Sequence, residues 1–103
     1  MTLIRQTAQG QAEGFSTERA DCWFGIPFAK PPVGELRFKR ARDPEPWEGV
    51  RPCTQMGCRA HDFLAGPMLE TEVFTNEPSE DCLYLNVWAP KDTEAGAKKP
   101  VFV

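Results

Sequence analysis

Between Gly25 and Pro52 the chain sets prolines at positions 27, 31, 32, 44, 46 and 52. Proline locks φ and has no amide hydrogen, so it ends helices and is kept out of sheet interiors. This stretch is therefore expected to run extended, with neither a long helix nor a central strand. The apolar side chains it carries, Phe28, Val33, Leu36, Phe38 and Trp47, are separated by those prolines. That spacing suits a segment laid onto a larger body better than a self-contained core. With 103 residues the chain is one domain at most. A lone domain of this size needs a closed core, and few elements here could build one.

The flanks read as short strands. Residues 3–7 and 11–15 are two extended pieces around the turn Ala8-Gln9-Gly10, and residues 20–24 make a third. Together they predict a small antiparallel β meander. Residues 82–89 form the strongest strand pattern, rich in β-formers and stopped by Pro90. After the hydrophilic run 91–99, Pro100-Val101-Phe102-Val103 reads as the start of a further strand. A strand broken at its apolar middle leaves backbone groups unpaired. A second polypeptide completing the fold is thus expected, and residues 1–103 alone are expected to aggregate. Residues 54–78 have no clean period, and a short helical turn at 68–74 is the only element read there.

Charge narrows the function classes. The formal net charge is -3 and the pI about 5.1, which disfavours nucleic acid and anionic membrane surfaces as partners. No apolar run approaches the roughly 18 residues of a membrane span. Residues 1–6 show no charged-then-apolar signal segment, so a cytoplasmic location is expected.

The chemistry-bearing residues are sparse. Cysteines stand at 22, 53, 58 and 82, and the single histidine is His61. Four residues separate Cys53 from Cys58, wider than the C-x-x-C pairing of most zinc sites. Buried or free thiols are the expected state, and no metal or cofactor is expected. A Ser/His/acid triad needs a hydroxyl, a base touching it and an orienting acid. The chain contains no G-x-S-x-G. Ser16 sits in a polar turn and Ser79 beside acids, and His61 reads as a polar loop residue. No catalytic residue is assigned.

Three blocks are distinctive: Phe24-Gly25-Ile26-Pro27-Phe28-Ala29-Lys30-Pro31-Pro32-Val33-Gly34 with Leu36-Arg37-Phe38; Trp47-Glu48-Gly49-Val50; and Ser79 through Pro90, Ser-Glu-Asp-Cys-Leu-Tyr-Leu-Asn-Val-Trp-Ala-Pro. In order and spacing they resemble the opening of the type-B carboxylesterase and cholinesterase family, its bacterial p-nitrobenzyl-esterase branch above all. The resemblance implies an α/β fold: residues 1–103 would be the N-terminal part of one α/β-hydrolase domain, made of the small meander, the proline-rich extended segment and the first strands of the large central sheet. It implies a serine carboxylesterase acting on small-molecule carboxylic esters, with oxyanion-hole glycines, nucleophile elbow, acid and histidine all beyond Val103. The alternative is a cholinesterase-like interaction protein that keeps the fold without the serine.

The same resemblance implies an ion pair between Arg37 and Glu80 that ties the proline-rich segment to the foot of the long strand, expected to be buried. It implies a disulfide between a cysteine following the Trp47 block and Cys82. The matching first position falls at Ala60, with Cys58 the nearest thiol, so a Cys58–Cys82 bridge and free thiols both remain open. The loop 58–79 would line the gorge, which makes Phe63, Leu64, Met68 and Leu69 candidate substrate-binding residues. Ester pockets are largely apolar with a few placed polar groups; anchoring of the loop to the body is the other reading of those four side chains. Trp23, Trp47 and Trp88 read as packing residues, with ligand stacking the lesser alternative. Tyr84 and Asn86 read as structural, and Gly25 and Gly34 as turn residues.

Overall fold

The computed structural model describes residues 3–61 and 77–103. The helical turn read at 68–74 lies outside them. Six strands are present among the described residues: β1 (Ile4–Gln6), β2 (Gln11–Glu13), β3 (Phe15–Ser16), β4 (Ala20–Pro27), β5 (Val50–Pro52) and β6 (Tyr84–Pro90). One 3-10 turn, Gly34–Leu36, is the only helical element among the described residues.

The single meander expected from the sequence is replaced by two three-stranded sheets, ordered β1-β2-β5 and β3-β4-β6. Gly14 is the reason. The strand read over residues 11–15 breaks there, because Gly14 lies against the Cys22 carbonyl and the Trp23 indole, leaving no room for a Cβ. Its amide turns back to the Leu3 carbonyl at 3.1 Å. Glu13 and Phe15 consequently enter different sheets.

β5 was not expected, since Pro52 argues against a strand. It pairs parallel with β2, Glu13 opposite Pro52, and occupies a sheet edge. At an edge the missing proline amide removes no ladder bond that an inner strand would need. The ladder then resumes: the Cys53 amide donates to the Glu13 carbonyl at 2.8 Å.

β4 is longer than its reading, reaching Pro27 through an irregularity between Trp23 and Ile26. Gly25 makes that possible. Its φ is +71°, and an added Cβ would lie 2.5 Å from the Gln55 carbonyl oxygen. Asn86 on β6 completes the bulge by accepting the Gly25 amide at 3.0 Å.

The core is small. Ala12, Trp23 and Cys53 are buried, with Leu3, Ile26 and Ala89 packed against them. The Trp23 indole N–H donates to the Leu3 carbonyl at 2.8 Å, which satisfies its polar tip. Trp47 clamps the opposite end, donating from its indole to the Gln11 carbonyl at 2.8 Å and from its amide to the Gln9 carbonyl at 2.9 Å. Trp88 departs from the packing role: it is 59 % exposed, touching Phe24 edge-on at 5.2 Å between centroids.

Residues 100–103 are not a strand. Val101, Phe102 and Val103 are fully or almost fully exposed, and no strand among the described residues lies beside them to supply a ladder. The radius of gyration, 15.3 Å, exceeds the about 13 Å of a compact chain this long.

Candidate functional site

The four candidate pocket residues, Phe63, Leu64, Met68 and Leu69, lie outside the described residues. What the structure gives is the frame on either side of them. An isolated parallel bridge joins Arg59 and Pro78. The Arg59 amide donates to the Glu77 carbonyl at 3.0 Å, and the Ser79 amide to the Arg59 carbonyl at 2.9 Å. These bonds form a neck that fixes where the segment between them starts and returns.

On one side of the neck is a cleft of about 510 Å³, bordered by Gly25, Arg51, Gln55, Gly57, Cys58 and Tyr84. Gly57 is required there, because a Cβ would lie 2.5 Å from the Tyr84 ring. Tyr84 donates its hydroxyl to Asp81 at 2.8 Å. Burial, and then the bond and charge of Asp81, push its pKa above the ordinary value. Arg51 stacks over the Trp47 ring at 5.4 Å from the centroid. The sequence reading missed this wall. Arg51 had no signal, because β5 was not legible, and Tyr84 was read as structural only.

A shallower groove of about 280 Å³ lies between Pro32, Phe38, His61, Glu80 and Cys82. Arg37 and Glu80 meet across it at 2.8 Å. The pair forms as expected, but it is not buried: the side chains are 51 % and 45 % exposed. Residues 28–46 cross this point with little over them, so solvent reaches both partners. A pair so exposed contributes under about 1 kcal/mol, in place of the larger loss expected for a buried one. Arg37 also lies over the Phe38 ring at 5.2 Å from the centroid. A second pair, Lys30 with Glu45 at 2.5 Å, closes the base of the proline-rich segment.

The hydroxyls and thiols have structural environments. Ser16 donates to the Asp21 carboxylate, and the Ser79 hydroxyl accepts the Asp81 amide at 3.1 Å. Among the described residues no hydroxyl or thiol is hydrogen-bonded to His61. All four cysteines are free, Cys22 and Cys53 buried, Cys58 and Cys82 partly so. Burial pushes the Cys22 thiol up, and the Asp21 charge adds to it. Burial also pushes Cys53 up, against an opposing pull from Arg51. Raised thiol pKa values disfavour the reactive thiolate. This geometry offers walls and anchors for a site.

Comparison with known proteins agrees. The carboxylesterase family model matches residues 2–103. The medium-chain fatty acyl-CoA hydrolase precursor of Anas platyrhynchos is 41 % identical over 111 residues, covering 94 % of this chain and 20 % of its own length. The pyrethroid hydrolase Ces2a of Mus musculus is 40 % identical, covering 97 % of this chain and 20 % of its own length. A solved PNB esterase superposes with a TM-score of 0.79 at 38 % identity, over 87 % of this chain and 18 % of that one. The chain belongs to the carboxylesterase family, and its fold is the N-terminal portion of an α/β-hydrolase, as the three sequence blocks implied. It spans about a fifth of the length of the curated relatives it matches, 20 % for each of the two above. Among the described residues no helix is long and apolar enough to cross a membrane.

Proposed function

We propose that this chain is the N-terminal part of a serine-dependent carboxylic ester hydrolase. The observation that carries the reading is the match to the carboxylesterase family over residues 2–103. The geometry supports it, since β6 and the ends of the 59–78 neck offer a frame while the hydroxyls at 16 and 79 are engaged in structural bonds. The triad and oxyanion hole then belong to residues beyond Val103, and residues 1–103 alone are inactive. The ligand is a small ester, held against an apolar wall to which Phe63, Leu64, Met68 and Leu69 contribute. The assembly works in the cytoplasm without a cofactor.

The test is to react the complete enzyme with an organophosphate that phosphorylates activated serines, and to map the label by mass spectrometry. Loss of ester hydrolysis in step with one label per molecule, on a residue outside 1–103, is the expected result. A label within 1–103, or hydrolysis indifferent to the reagent, would overturn the assignment. Phe63→Ala and Leu69→Ala should shift relative kcat/KM among esters of different acyl size; an equal change for all esters would assign those side chains to loop anchoring instead.

A further inference from the structure

Contacts from three separate elements converge on the short turn Pro90–Thr93, where the chain leaves β6. Asp21 on β4 is 1 % exposed. One of its carboxylate oxygens accepts the Ser16 hydroxyl across the β3–β4 pair, and the other accepts the Asp92 amide at 2.9 Å. Arg5 on β1 donates to the Thr93 carbonyl at 2.7 Å. Lys91 reaches back to the Thr17 carbonyl at 3.2 Å. Inside the turn, the Thr93 hydroxyl donates to the Pro90 carbonyl at 2.6 Å. Asp92 itself is left-handed, with φ +61°.

This density is unusual for a surface turn. A buried carboxylate is costly unless donors meet it, and here both oxygens are met by groups from different elements. Beyond the turn the contrast is sharp. Among the described residues, 98–103 make no hydrogen bond, and all are exposed. Pro90–Thr93 is therefore the last densely hydrogen-bonded point among the described residues.

We propose that Asp21 is a positioning residue for ester hydrolysis, holding the turn Pro90–Thr93 so that the chain leaves β6 in the one direction that brings the residues after Val103 to the substrate. The claim rests on the proposed reading that the catalytic groups follow Val103. Asp21 touches neither substrate nor reacting atoms; it acts through the Asp92 amide. Displacing a catalytic group by about 1 Å costs up to about a hundredfold in rate, so a loosened turn should be read in kcat.

The test uses the complete enzyme that carries this chain. Asp21→Ala removes both acceptors, and Asp21→Asn keeps an acceptor for the Asp92 amide. Trp47→Phe, which removes the indole bond to Gln11 at the far end of the other sheet, is a control that loosens the fold elsewhere. Expected are a fall in kcat of about tenfold or more for Asp21→Ala with KM within about twofold, and recovery of most of that loss in Asp21→Asn. Trp47→Phe should lower Tm and leave kcat unchanged. Wild-type kcat in folded Asp21→Ala, or an equal kcat loss in Trp47→Phe at a matched fall in Tm, would overturn the proposal. Should Asp21→Ala not fold, Asp21→Ser is read by the same kcat and KM split. A wild-type enzyme that hydrolyses no ester defeats the functional reading alone. Amide exchange then decides the positioning claim: faster exchange of Asp92 and residues 101–103 in the variant supports it, and unchanged exchange refutes it.

Discussion

β4 and β6 are neighbours in one sheet, paired in register from Ala20 opposite Pro90 to Pro27 opposite Tyr84. Both are apolar in sequence, yet their surroundings differ sharply. Cys22 is 1 % exposed and its partner Trp88 59 %; Trp23 is 5 % exposed and its partner Val87 40 %. β4 lies between β3 and β6 and packs on the core of the other sheet. Among the described residues β6 is an edge, and its Leu85, Val87 and Trp88 are exposed. The difference is one of position, and it shows that an apolar strand is only as buried as the body around it. An edge of this kind is a pairing site unless something covers it.

The largest effect expected from this contrast concerns the chain by itself. Residues 1–103, produced alone, should show no cooperative calorimetric transition and should aggregate, whereas the complete enzyme should melt in one step. A sharp transition of the soluble chain would mean that β6 needs no cover. Next comes Trp23→Ala, on the packed side, which should cost the complete enzyme about 3–5 kcal/mol in denaturant unfolding. Gly25→Ala should cost about 2–4 kcal/mol, because the left-handed φ and the Gln55 carbonyl both oppose a Cβ. A cost under 1 kcal/mol would show that the bulge between Trp23 and Ile26 relaxes freely.

Smaller effects sharpen the contrast. Glu80→Gln should change stability by under about 1 kcal/mol, given the exposure of its pair with Arg37. A loss of several kcal/mol in the complete enzyme would show that the enzyme's remainder closes over this pair. The pH dependence has a definite sign. Cys22 and Cys53 have pKa values raised above an ordinary value of 9.0, so folding favours the protonated thiol. Their contribution is fully present below the thiol's unfolded pKa and is lost as pH rises through the raised folded values. Tm should therefore fall on the alkaline side, and replacing both thiols by Ala or Ser should flatten that fall. A limb of unchanged slope would assign the alkaline loss to other groups.

Much of this was legible in the residues. The blocks around Gly25, Trp47 and Ser79–Pro90 carried the family, because prolines and glycines there mark fixed backbone courses. The long strand was found within two residues of its bounds from β-former density and the stop at Pro90. What escaped was non-local. The parallel pairing of β5 with β2 joins residues 39 apart, such as Gln11 with Val50, and three residues ending in Pro52 carry no period that announces it. Gly14 looked like any residue in a strand until the Trp23 indole filled the space a Cβ would take. The exposure of the Arg37–Glu80 pair depends on how much chain passes over it, which no local pattern records. Asp21 is not legible in sequence, because a single acid in an apolar strand gives no sign of the two donors that meet it.

Among the described residues β6 is a sheet edge, and in the complete protein another part of the fold is expected to cover it. Hydrogen exchange of residues 84–90 in the complete protein reads this directly. Slow exchange of the β6 amides that point away from β4 is the predicted result. Fast exchange of those amides, with the β4-facing ones protected, would contradict it.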